Sequence, residues 1–113
     1  MGEEGARLSA AGADMAAHLV DELAPLGEVT TKKMFGGYGV FTDGVMFALV
    51  DSAGGAFLRA DESTSPRFEQ AGSEAHGRMP YWKIPEVVLA DPSSLLRWAT
   101  EARDVAKAAK KTG

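Results

Sequence analysis

Asp14, His18 and Glu22 recur at steps of four, so on a helix they form one row of neighbouring side chains with the donor types that zinc accepts. A zinc site would need a further ligand from elsewhere, and the second helix-spaced histidine of a zinc-protease pattern is missing. The row reads as a solvated charged face, and no metal site is expected. Gly36-Gly37-Tyr38-Gly39 has the glycine density of a phosphate-cradling loop. Such loops run from a strand into a helix whose first amides face the phosphate, whereas these glycines run into another strand. They read as a bulge or as two backbones pressed together, with a ligand contact as the alternative.

Ser52, Ser63, Ser65, Ser73, Ser93 and Ser94 fall in turns or caps, where a hydroxyl has an ordinary backbone role, and none stands in a strand-to-helix nucleophile elbow. His76 lies in the turn Ser73-Glu74-Ala75-His76-Gly77 with only Glu74 near it, and the remaining carboxylates are dispersed. No catalytic residue, cofactor or cofactor-binding residue is expected. The pair Tyr81-Trp82, flanked by Arg78 and Lys83, could stack on bases or anchor a partner. Strand alternation puts Met79, Tyr81 and Lys83 on one side and Trp82 and Ile84 on the other, so one aromatic is expected in the core and the other free. Tyr38, Tyr81, Trp82, Lys83 and Arg78 make up the candidate interaction surface.

The elements that must position these residues follow from periodicity and punctuation. Met15, Leu19 and Leu23, with Ala16 and Val20, predict an amphipathic helix from about Ser9 to Ala24, ended by Pro25 and Gly27. Strands are predicted at about 28–35, 37–42 and 45–50, with Asp43-Gly44 as the signal for a tight type I′ hairpin. Ala56 to Ala60 predicts a fourth strand. Ser65-Pro66 predicts the cap and first turn of a brief helix that carries Phe68 and stops at Gly72. Met79 to Ile84 predicts a fifth strand with Pro80 marking an edge or an irregular start. Asp91-Pro92 opens a long C-terminal helix with Leu95, Ala99, Ala102, Ala106 and Ala109 on one stripe. The order α-β-β-β-β-α-β-α predicts an α+β domain, an antiparallel meander with helices packed on it in two layers.

With 113 residues, 45% apolar and 25% charged, the chain suits one globular domain, with 1–8 and 110–113 expected to be loose. It has no cysteine, which excludes disulfides, thiolate metal sites and thiol catalysis and suits a reducing cytoplasm. The acids Glu3 and Glu4 stand where a signal peptide needs bases, and the longest apolar run, Val45 to Val50, is far below the ~20 residues that span a bilayer. No membrane association is expected. Residues 1–30 hold six acids against Arg7, whereas 91–113 hold five bases against three acids. The net charge of −4 disfavours attachment to a phosphate backbone. Direct nucleic-acid binding, through Lys32, Lys33, Arg59, Arg78, Lys83 and the terminal lysines, is the alternative to a protein-interaction role; a small ligand-binding domain or enzyme ranks below it.

Four words in fixed order carry a resemblance: Met34-Phe35-Gly36-Gly37-Tyr38-Gly39, Asp43-Gly44-Val45-Met46-Phe47-Ala48, Arg67-Phe68-Glu69-Gln70-Ala71-Gly72 and Met79-Pro80-Tyr81-Trp82-Lys83-Ile84-Pro85. From about Val29 to Ala106 the chain resembles the N-terminal domain of the TfoX/Sxy family. The resemblance implies a two-layer α+β domain related in shape to secretion-chaperone-like folds, a homodimer, and a non-enzymatic regulatory role in competence for DNA uptake, with an unidentified protein partner for which transcription machinery is one candidate. Family members usually carry a second, helical C-terminal domain, which the chain is expected to lack. The stretch from Gly72 to Met79 is shorter than in members with an extra strand before the Met-Pro-Tyr word.

Overall fold

The computed structural model describes residues 2–34 and 36–112; Met1, Phe35 and Gly113 lie outside the described residues. Helix α1 (Gly2–Glu22) buries Ala16 and Leu19, and Leu23 just past its end continues the stripe that the four-residue spacing marks out. It begins at Gly2, well before the Ser9 start that the spacing predicts. A 3-10 turn, Ala24–Leu26, follows, and Gly27 leaves it at φ 121°, a conformation open chiefly to glycine.

Strands β1 (Val29–Met34), β2 (Gly37–Thr42), β3 (Val45–Val50), β4 (Ala56–Arg59) and β5 (Tyr81–Lys83) form one sheet in chain order, every neighbouring pair antiparallel. This is the meander that the turn signals predict. Thr42 pairs with Val45 across Asp43 and Gly44, whose φ values of 53° and 77° are those of a type I′ turn. Farther along, Val40 pairs with Ala48 but Phe41 with Met46, which leaves Phe47 as an extra residue on β3. The bulge turns Phe47 and Ala48 together into the main core, while Met46 and Leu49 face away from it.

Helices α1, α2 (Ser65–Gln70), α3 (Glu86–Leu89) and α4 (Pro92–Thr112) contribute to that core on one side of the sheet. On α4 the buried stripe is Leu95, Ala99, Ala102 and Ala106, small enough to bring the helix close to β3 and β4. Asp91 caps it, accepting the Ser94 amide at 3.3 Å and the Ser94 hydroxyl at 2.6 Å. Phe68 of α2 is fully packed, edge-on to Trp98 at 5.0 Å.

Three local expectations change. The residue before α2 is Thr64, with Ser65 already helical, and the preceding turn is organised by the Asp61 carboxylate, which accepts the amides of Ser63 and Thr64 at 2.9 and 3.1 Å. A single-turn helix, α3, stands between Pro85 and Asp91, too short to show a period; it buries Val88 and leaves Val87 78% exposed. Strand β5 is limited to three residues, since Pro80 has no amide to continue a ladder.

The two edges of the sheet differ. Beside β5, Ala75 forms an isolated bridge with Trp82, the His76 amide donates to the Tyr81 carbonyl at 2.7 Å and the Lys83 amide to the Glu74 carbonyl at 2.9 Å. The Ser73 hydroxyl donates to the Lys83 carbonyl as well. The short stretch before the Met-Pro-Tyr word thus closes this edge with one bridge in place of a strand. On β1, Thr30, Thr31, Lys32 and Lys33 are exposed, and no described strand pairs with its outer side.

Candidate functional site on the helix-free face

Alternation sends one residue in two to the side of the sheet that carries no helix. The register aligns Lys32, Gly39, Leu49, Phe57 and Lys83 in one row across all five strands, with lysines at its ends and apolar residues at its centre. Gly39 is what lets the row lie flat. A Cβ there would stand 2.7 Å from the Met46 sulfur and 3.0 Å from both the Met34 sulfur and the Phe41 ring, so these three side chains converge over the bare backbone. Gly37, on the same side of β2, meets backbone instead: a Cβ there would run into the Val50 carbonyl. The glycine word is therefore a close approach of backbones, as its strand context implies, while the bulge lies on β3.

Next to the methionines, Leu49, Phe57 and Tyr81 form a second, small apolar cluster, with Met46 and Met79 packed on it. His76 meets the Phe57 ring edge-on at 4.7 Å, which draws the segment before β5 across this face. Met34, Leu49, Val50, Asp51, His76 and Met79 line an apolar cavity of about 280 Å³.

At the far corner of the same face the Tyr81 hydroxyl donates to the Met46 carbonyl at 3.1 Å. The Arg59 guanidinium lies over the Tyr81 ring, 5.7 Å from its centroid. Burial raises the Tyr81 phenol above its ordinary pKa, with Arg59 opposing the rise. The Arg59 Nε is buried and has no hydrogen-bond partner among the described residues.

The five candidate interaction residues do not meet on one surface. Tyr38 is half-buried on the helix side, where a Cβ on Gly12 would lie 3.6 Å from its ring. Trp82 is also on that side, half-buried, its ring 6.2 Å from that of Phe68. Tyr81 is buried on the open face, with Lys83 exposed on the same strand face, and Arg78 is exposed in the segment before β5. Neither aromatic of the Tyr-Trp pair is free, because β5 has packed neighbours on both sides: α2 beneath Trp82, Arg59 and Met46 around Tyr81. Sequence reasoning put Met79 on the Tyr81 side but left Met34, Met46 and Met79 out of the candidate surface. Met46 could have been found by counting outward from the Asp43-Gly44 turn, since it faces Phe41.

The basic residues are dispersed. Lys32 and Lys83 stand at opposite ends of the row, Lys33 falls on the other side of β1, and Lys107 is held by Asp43 at 3.3 Å. Asp14 and His18 are exposed on α1, and among the described residues no group of three His, Cys, Asp or Glu side chains gathers at metal-binding distance. No helix among the described residues is long and apolar enough to cross a membrane.

The family model for the TfoX N-terminal domain matches residues 21–106, from the end of α1 through most of α4. The chain belongs to the TfoX N-terminal domain family. Among curated proteins, the DNA transformation protein TfoX1 of Aliivibrio fischeri is 31% identical over 87 residues, covering 70% of this chain. The TfoX-type chain spans about two fifths of that relative, 41% of its length. The matched range contains the whole sheet, so every residue of the methionine face lies within the family domain.

Proposed function

We propose that this TfoX-type domain is a non-enzymatic protein-interaction module of competence and DNA-transformation control, acting as a cytoplasmic homodimer that docks a protein of the transcription machinery. The observation that carries the reading is the helix-free face on which half-buried Met46 and Met79 pack on the buried Leu49, Phe57 and Tyr81, with Met34 beside them over Gly39. An apolar centre with aromatic and methionine side chains, rimmed by Lys32 and Lys83, has the anatomy of a protein interface. Thioether side chains re-pack against varied partners at little cost, which suits a regulator that meets more than one surface. The name of the Aliivibrio relative supports the transformation context.

The test is sedimentation velocity of the purified protein together with a pull-down from cell extract, each repeated with Met34→Glu and Met79→Glu. A dimer or a captured partner that both variants lose supports the reading. A strict monomer that retains no protein at physiological salt sinks it, as does a dimer indifferent to both substitutions.

A further inference from the structure

We propose that the corner between the β2–β3 turn, the end of β4 and the last turns of α4 is a binding site for a phosphoryl group carried by a small molecule. Pairing of β3 with β4 stops at Ala48 and Leu58, so Met46 and Arg59 part beyond it and leave an opening. Small residues on α4 keep it clear. The resulting cavity holds about 290 Å³, and Gly44, Met46, Arg59, Tyr81, Ala106 and Lys110 are on its wall.

The charges there are one-sided. Arg59 and Lys110 both line the cavity, and among the described residues no carboxylate does. Asp43, on the adjoining turn, is engaged by Lys107 at 3.3 Å. The Lys110 ammonium donates to the neutral Gly44 carbonyl at 3.2 Å and forms no ion pair with a described residue, while Asp43 lines an adjoining cavity with it. Arg59 forms no ion pair with a described residue, and its Nε is a buried donor without an acceptor, an arrangement that destabilises the unliganded corner. In a chain of net charge −4, two such cations on one cavity are a local reversal of the overall balance.

A phosphoryl group answers this arrangement better than a carboxylate. The guanidinium fork can take two of its oxygens, the ammonium can take a third, and its double charge meets both cations. The Tyr81 ring, Val45 and Ala106 supply an apolar wall for a short organic body. A polynucleotide fits less well, because it needs cations along a track and the other bases lie at separate places on the sheet.

The experiment is a titration of the full chain, followed by amide chemical shifts, with inorganic phosphate and with phenyl phosphate at constant ionic strength, set against an equal addition of chloride. The expected result is saturable shifts at Gly44, Met46, Tyr81 and Lys110 with at least one of the two phosphates, weakened by roughly tenfold or more in Lys110→Gln and Arg59→Gln. Shifts that grow without saturation, that chloride reproduces, or that persist with unchanged affinity in Lys110→Gln would overturn the proposal. Lys110 is exposed, so its variant decides the matter even where Arg59→Gln fails to fold.

Discussion

The Tyr81 hydroxyl reaches 35 residues back along the chain to the Met46 carbonyl, joining β5 to β3 over the end of β4 without any ladder between them. Removing it with Tyr81→Phe leaves the Met46 carbonyl short of a donor in a half-buried place. Folding stability is expected to fall by about 1 kcal/mol, read as a lower urea midpoint at unchanged slope.

The same residue confers a pH dependence on the alkaline side. Burial holds the folded-state phenol pKa above its unfolded value, so the contribution is complete below that ordinary value and is lost as pH rises through the folded one. Stability of the native chain should therefore decline more steeply above pH ~10 than that of Tyr81→Phe. Urea midpoints measured across that range check this; parallel declines would remove Tyr81 as the cause.

At the N-terminus of α4, bonds from Ser94 hold the Asp91 carboxyl below its ordinary pKa, opposed by desolvation. For a carboxylate the sign is reversed: the stabilisation is present above the unfolded pKa and fades as pH drops through the folded one. Asp91→Ala should lower the melting temperature at pH 7, and the gap to the native chain should close as pH falls below ~4. Asp91→Asn should retain most of the capping at both pH values.

Two glycines two residues apart should behave differently. Gly37→Ala places a methyl against the rigid Val50 carbonyl and is expected to cost at least 3 to 5 kcal/mol, roughly the range of the worst core substitutions, or to abolish folding. Gly39→Ala meets the flexible ends of Met34 and Met46, which can swing aside, and the edge of the Phe41 ring, so a loss of about 1 to 2 kcal/mol is expected with the fold retained. Circular dichroism melts of both variants separate the two cases.

These contrasts also mark how far the sequence could be read. The hairpin at Asp43-Gly44 was legible because two positive-φ positions leave few choices of residue, and the stripes of α1 and α4 because burial on one side imposes a period. The helix-free face was not, since its centre depends on the bulge at Phe47, which appears in no local pattern and shifts which β3 residues face outward. Tyr81 and Trp82 were assigned to opposite sides correctly by alternation. Their surroundings came from segments 35 and 14 residues away, through Met46 and Phe68, and no short-range rule reaches that far.

The unlike borders of the sheet give it a direction of growth. At β5 the bridge through Ala75 uses up the main-chain donors and acceptors that a newcomer would need, so extension there requires first peeling away the segment that holds His76 on Phe57. At β1 no described strand has to be displaced, and the toll is electrostatic, set by Lys32 and Lys33. An approaching acidic strand would find that border attractive, a basic one would be turned back, and added salt would blunt the discrimination between them.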